Sequence, residues 1–382
     1  MHRPHGRRTK TLGGALEETG GFGAGFDFLR VALAFGVLLW HERLIVGGAD
    51  APLSAPDQLI GISILPMFFG LSGFLITGSA LRLSLPNFLI NRGLRIFPAL
   101  FVEIMLSAFI LGPIFTRLPL SDYFRARGTY HYLTNIVGKV NYDLPGVFSH
   151  NHWPAVNWSL WTIPYELLCY GLMSALIVTR LLRRPLLSLA LPFLWLAFVW
   201  WAPLGDMLTA ILTRGIWGRP GGEGLCVSFL LGIAFYLNRD RVPYSGFMAL
   251  AALGAIVLCA VLPRIPSQVM QVPLVYLAVF IGVSRITPLP VFRRGDYSYG
   301  IYLYAMPIQQ AVRAALPTTG AALHLALSAA LVTLFAIFSW HCVEKPVLRL
   351  RRRFSFVARV RGVEADRPPD PTIAIANNSQ QH

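Results

Sequence analysis

The sequence predicts an all-α integral membrane protein of about ten transmembrane helices with both termini cytoplasmic. Three observations lead there. Of 382 residues, 55% are hydrophobic and only 13% are charged, against roughly a quarter charged in a soluble domain, and the mean hydropathy is +0.56. Apolar runs of bilayer-crossing length recur along the chain. The basic residues fall between those runs instead of forming one stripe, so the net charge of +15 reads as membrane topology and not as a nucleic-acid surface. A soluble globular enzyme is excluded, and any chemistry must use residues in the spans and their connections.

Residues 1–25 are Gly-rich and basic without an apolar core. They read as a disordered cytosolic tail and not as a signal peptide, despite Arg7-Arg8. Residues 26–345 form the membrane domain, with apolar runs near 26–46, 59–81, 96–116, 158–179, 185–204, 223–238, 244–262, 268–284, 297–316 and 320–341. Gly interrupts the sixth run and Pro273 the eighth. By count, about 23 of the 33 basic residues lie on the N-terminal tail, alternate connections and the C-terminal segment, which the positive-inside bias places in the cytosol. The long connection 117–157 is then external. Its Tyr123, Tyr130, His131, Tyr132, His150, His152 and Trp153 suit either stacking on a sugar or head group, or anchoring at the bilayer surface. Residues 346–382 form a basic, then polar, cytosolic tail. The four cysteines sit singly, without CxxC or a His at ligand spacing, so neither a disulfide framework nor a metal site is expected.

Ionisable groups inside a span are expensive and mark functional candidates: Arg30, His41, Glu103, Glu166 and Glu42. Arg30 and His41 are eleven positions apart on the first helix. That spacing puts them on nearly one face and about 16 Å apart along the axis. A donor with an anionic end at the cytosolic mouth and a reactive end inside the membrane fits this layout, as a coenzyme A thioester does. A snorkelling Arg and a helix-capping His fit it too. Phe68 to Gly78 presents a small-residue face for close helix packing. Arg92 and Arg95, at i and i+3, share one face at the cytosolic edge, where two guanidinium groups could clamp a phosphate. In the fourth run, Trp161, Tyr165 and Glu166 follow Asn157. Counting inward puts Glu166 about 12 Å deep and His41 about 7 Å deep, so the two meet if these helices pack together. Glu166 could equally be a structural partner to an arginine.

Taken in order, FDFLRVALAFGVLLWHE, FFGLSGFLITGS, FLINRGLRIFPAL, NWSLWTIPYELLCY, DYSYGIYLYAMPIQQ and HCVEKPVLRLRRR resemble the membrane acyltransferase-3 family, the integral-membrane O-acyltransferases of bacterial polysaccharides and glycolipids. The resemblance covers most of residues 26–350. It implies a bacterial inner-membrane enzyme with no tightly bound cofactor, an acyl-coenzyme A co-substrate (acetyl foremost) and a hydroxyl acceptor on a glycan or glycolipid. On that pattern His41 is the general base, supported by Glu166, and Arg30, Arg92 and Arg95 hold the coenzyme's phosphates. Apart from that pattern, Trp161 and Tyr165 are candidates to line the substrate path, and Ser298, Tyr302 and Gln309 of the ninth run suit either lining it or helix packing and interhelical hydrogen bonding. This chain has Ala305 where many members carry a His. It lacks the extracytoplasmic hydrolase-like domain fused to some members, so the membrane domain is expected to act alone or with a separate partner. A transporter or flippase of a lipid-linked glycan is the alternative, with the buried charges lining its path.

Overall fold

The structure is a computed structural model that describes residues 10–21, 23–48, 54–201, 222–261, 267–286 and 289–354. Among the described residues there is no strand, only isolated bridges between Thr11 and Pro243 and between Thr116 and Val147. The short α1 (Leu12–Glu18) precedes α2 (Ala24–Gly47), which Gly48 ends at φ +80°. Helix α3 (Ala55–Ala80) starts from a reciprocal Ser54–Asp57 capping box and carries Pro66 in its interior, while α4 (Leu85–Leu106) continues through a π-helical turn to Phe115. The connection from 117 to 157 is built of α5 (Leu120–Arg125), α6 (Arg127–His131) and a 3-10 turn, Tyr132–Val137. A second 3-10 turn, Trp158–Thr162, leads into α7 (Ile163–Val178). Then come α8 (Leu191–Trp201), α9 (Gly222–Leu237), α10 (Gly246–Val261), α11 (Gln271–Gly282), α12 (Ser298–Ala315), α13 (Ala321–Phe338) and α14 (Lys345–Phe354).

The bundle is organised around α3, whose longest contact is with α9. Glycine makes that contact possible: a Cβ on Gly73 would overlap the Phe229 carbonyl, and one on Gly232 would overlap the Gly70 carbonyl. The small-residue face of the second run therefore serves close backbone approach. Helix α12 packs between α13 and α2, so the first and last thirds of the chain close on each other.

Each of the ten apolar runs contains a helix, but only four helices among the described residues are long and apolar enough to cross a membrane: Ala55–Ala80, Leu85–Phe115, Trp158–Val178 and Ala321–Leu350. Helices α8 to α11 have 11, 16, 16 and 12 residues. At 1.5 Å per residue their described residues reach roughly 17 to 24 Å, short of the about 30 Å hydrocarbon core, but α8, α9 and α10 each adjoin residues outside the described set. Residues 202–204 of the fifth run lie outside the described residues. Large apolar side chains stay exposed around the bundle, among them Phe101, Ile114, Val178, Phe193, Leu250 and Leu334. Such a surface suits lipid and not water.

The expectation of a disordered tail over residues 1–25 is corrected where the chain is described. Residues 10–18 are anchored: Leu12 and Ala15 are buried, the Leu12 amide donates to the Val242 carbonyl, and the Tyr244 amide donates to the Lys10 carbonyl. The Thr11 side chain caps α1. Three apolar residues in one short turn, Leu12, Ala15 and Leu16, give the segment a packing face on the second hydrophobic cluster. Residues 1–9 and 355–382 lie outside the described residues.

Candidate active site

Two adjoining cavities occupy the interior. The first, of about 170 Å³, opens among Arg30, Arg92, Arg95, Glu166, Tyr170 and Ser298, on the side of the bundle where α4 begins. Its charges are organised by Asp296, just before α12. Asp296 Oδ2 accepts hydrogen bonds from Arg30 and from Arg95, each at 2.7 Å, and Oδ1 accepts from the Ser298 hydroxyl at 2.7 Å. Burial works against the Asp296 charge, but Arg30, Arg95 and Ser298 outweigh it and hold the carboxyl at about 2, below its ordinary range. Arg95 also donates to Glu344 at 2.6 Å, and Arg30 to Asp27 at 3.1 Å. Arg92 is different. Among the described residues it has no carboxylate at ion-pair distance; its buried Nε, like that of Arg30, has no hydrogen-bond partner. Of the three predicted phosphate clamps, two are therefore bound into an ionic frame and Arg92 stands outside it.

The second cavity, of about 290 Å³, holds His41 with Trp40, Trp153, Trp158, Trp161 and Gln271. His41 is 5% exposed, and its Nδ1 is buried without a hydrogen-bond partner. The cavity is lined mostly by apolar and aromatic side chains, and a buried nitrogen left unsatisfied there is a place for a ligand group. The surrounding indoles come from three elements, α2, the 117–157 connection and the Trp158–Thr162 turn. Glu103 fixes that turn: its Oε1 accepts from Asn157 Nδ2 at 3.0 Å and from Ser107 at 2.9 Å, while Asn157 also donates to the Leu303 carbonyl. The aromatic residues expected to anchor or stack thus divide, with Trp153 inside the cavity wall and Tyr123 and Tyr132 fully buried as packing.

The expected His41–Glu166 dyad does not form. Glu166 lines the first cavity, where its Oε1 accepts from Tyr170 at 2.7 Å and the charges of Arg95 and Arg92 act on it; His41 lines the second. The depth argument counted a continuous α-helix from Asn157. The first five residues are instead a 3-10 turn, which rises about 2.0 Å per residue and carries Glu166 roughly 2.5 Å further in. Tyr165 is also relocated. It lines neither cavity, and its ring packs against Trp161 and the backbone of Gly222. Trp161 lines the second cavity and Ser298 the first, and Tyr302 lies on both.

Beside His41, a buried network joins α2, α12 and α13. His324 Nδ1 lies 2.7 Å and 2.8 Å from the two Glu42 carboxylate oxygens, its Nε2 lies 3.1 Å from the Gln309 carbonyl, and the Gln309 amide donates to Glu42 at 2.9 Å and to the Leu38 carbonyl at 3.0 Å. His324 went unremarked in the sequence, although the rule that selected Glu103 applies equally to a lone His inside the run 320–341. Asp296 heads the quoted DYSYGIYLYAMPIQQ block, but no spacing pairs it with Arg30 or Arg95, which are far away in the chain.

These features define an all-helical protein with four helices long and apolar enough to cross a membrane among the described residues, and with a basic cavity beside an aromatic one that holds a histidine. Residues 24–341 match the acyltransferase domain family, and the chain belongs to that family. It is an O-acyltransferase. It is 28% identical over 324 residues to an O-acetyl transferase of Shigella phage Sf6, covering 85% of this chain and 95% of that protein. It is 25% identical over 395 residues to Nodulation protein 10 of Rhizobium leguminosarum bv. viciae, covering 91% and 99%. No solved structure matches the chain.

Proposed function

We propose that this O-acyltransferase moves an acetyl group from acetyl-coenzyme A to a hydroxyl of a glycan or glycolipid, in the bacterial inner membrane, with its arginine side facing the cytosol. The observation that carries the reading is the adjacency of two chemically different cavities, one with an unpaired guanidinium at Arg92 and one with an unsatisfied imidazole at His41. The name of the phage relative supports acetyl as the group. The ten helix-bearing apolar runs and the alternating basic residues support a ten-span arrangement with both termini in the cytosol.

Arg92 meets a phosphate of the coenzyme, with Arg30 and Arg95 framing the mouth through Asp296. A guanidinium outside any ion pair suits a phosphate better than one already sharing a carboxylate. The acceptor sugar lies against the indoles of the second cavity, whose flat apolar faces suit a sugar ring. His41 takes the hydroxyl proton as that oxygen attacks the thioester carbonyl. The new C–O bond replaces the C–S bond, and the departing thiolate takes the proton from the imidazolium, leaving an ester and free coenzyme A. No carboxylate assists His41, so Glu166 belongs to the donor side. The test is binding of labelled acetyl-coenzyme A to detergent-purified protein. Arg92→Ala is expected to weaken binding by at least about tenfold, as loss of a charge-assisted contact does; unchanged binding rejects this donor site.

A further inference from the structure

The two cavities share two wall residues, Leu65 of α3 and Tyr302 of α12. Tyr302 is held firmly. Its hydroxyl donates to the Ser159 carbonyl at 2.9 Å and lies 2.6 Å from Thr162 Oγ1, and its ring meets Phe68 edge to face with centroids 6.1 Å apart. Ser159 lines the histidine cavity and Thr162 the arginine cavity, so one 3-10 turn backs the same partition from both sides. That turn is itself fixed by Asn157 and Glu103. Leu65 immediately precedes Pro66, whose missing amide N–H leaves the α3 ladder one bond short at this level.

We infer that Leu65 and Tyr302 form the passage by which the acyl group reaches His41, and that their side chains set the acyl length the enzyme accepts. The inference rests on the donor reading above. A thioester bound by Arg92 can present its carbonyl to the histidine cavity only past the partition, and the atoms beyond the carbonyl carbon must fit between an isobutyl group and a phenol ring. Discrimination here comes from apolar contact, for which one methylene is worth about 10- to 200-fold in relative rate. Tyr302→Phe keeps the ring and removes the tether to Ser159 and Thr162; Leu65→Ala keeps the tether and opens the other wall.

The test uses membranes of the native host lacking the chromosomal copy and carrying the wild-type or variant full chain. Radiolabelled acetyl-, propionyl- or butyryl-coenzyme A is supplied, and label in the glycan fraction is counted. The readout is the butyryl-to-acetyl ratio within each preparation, which cancels differences in the amount of folded protein. Wild type is expected to favour acetyl strongly, and Leu65→Ala to raise the ratio at least about tenfold. Tyr302→Ala should do the same, while Tyr302→Phe should raise it less. Acetyl transfer by wild type with an unchanged ratio in both Leu65→Ala and Tyr302→Ala overturns the passage alone. Absence of transfer by wild type from any of the three thioesters overturns the donor reading and the passage together.

Discussion

Asp296 shows how a single carboxylate can decide which of three arginines is available. It draws Arg30 and Arg95 into one ionic frame with Glu344, while Arg92 has no carboxylate at ion-pair distance among the described residues. Removing it leaves two partly buried guanidinium groups facing each other, so Asp296→Asn should lower the melting temperature much more than Asp27→Asn, whose carboxylate is 66% exposed. Because the folded carboxyl is held at about 2, its contribution is fully present above the unfolded value near 3.9 and is lost as pH falls through about 2. Stability followed from pH 5 to 8 should therefore show no titration from this group. Glu42 and His324 make a second residue-scale case. Truncating either strands the other in the interior, at a cost of about 3 to 5 kcal/mol. Chemical unfolding of Glu42→Ala, His324→Ala and the double variant should show the double costing less than the sum of the singles. The candidate residues Arg30, His41, Glu103 and Glu166 were legible because a charge in an apolar run is conspicuous. Their partners were not, since Asp296 reaches Arg30 across 266 positions and Arg95 across 201, and no periodicity records such pairings.

At the scale of the element, α3 and α9 approach as closely as their backbones allow. Gly73→Val would drive a branched side chain into the Phe229 carbonyl. Loss of folded protein in size-exclusion chromatography is expected, whereas Gly171→Ala, where nothing lies within 4 Å of the added carbon, should be tolerated. The helices themselves were readable from hydrophobic runs. Local departures from the α-helix were not: the 3-10 turn at Trp158–Thr162 and the π-helical turns at Ser107–Leu111 and Ser339–Glu344 have no signature in a hydropathy window. The first of them lies between Asn157 and Glu166, which lines the first cavity while His41 lines the second. The short α1 escaped for the opposite reason, because three apolar residues in a glycine-rich tail are too few to register until the loop at Val242 is in place to receive them.

Over the whole molecule, the proposed function assigns donor binding and proton transfer to two different cavities of one bundle. Arg92 and the ionic frame lie in one cavity, His41 and its indoles in the other, and Tyr302 and Leu65 divide them. The eleven-residue spacing of Arg30 and His41 pointed to two positions along one helix, and the structure places Arg30 on the first cavity and His41 on the second. The most direct test measures both tasks on the same protein: binding of labelled acetyl-coenzyme A and transfer of its label to the glycan fraction, for wild type, Arg92→Ala and His41→Ala. The division predicts that His41→Ala binds donor as wild type does and loses at least about 100-fold in transfer, as removal of a general base does, while Arg92→Ala loses binding first. Transfer by His41→Ala at the wild-type rate, or loss of donor binding in His41→Ala equal to that in Arg92→Ala, would contradict it.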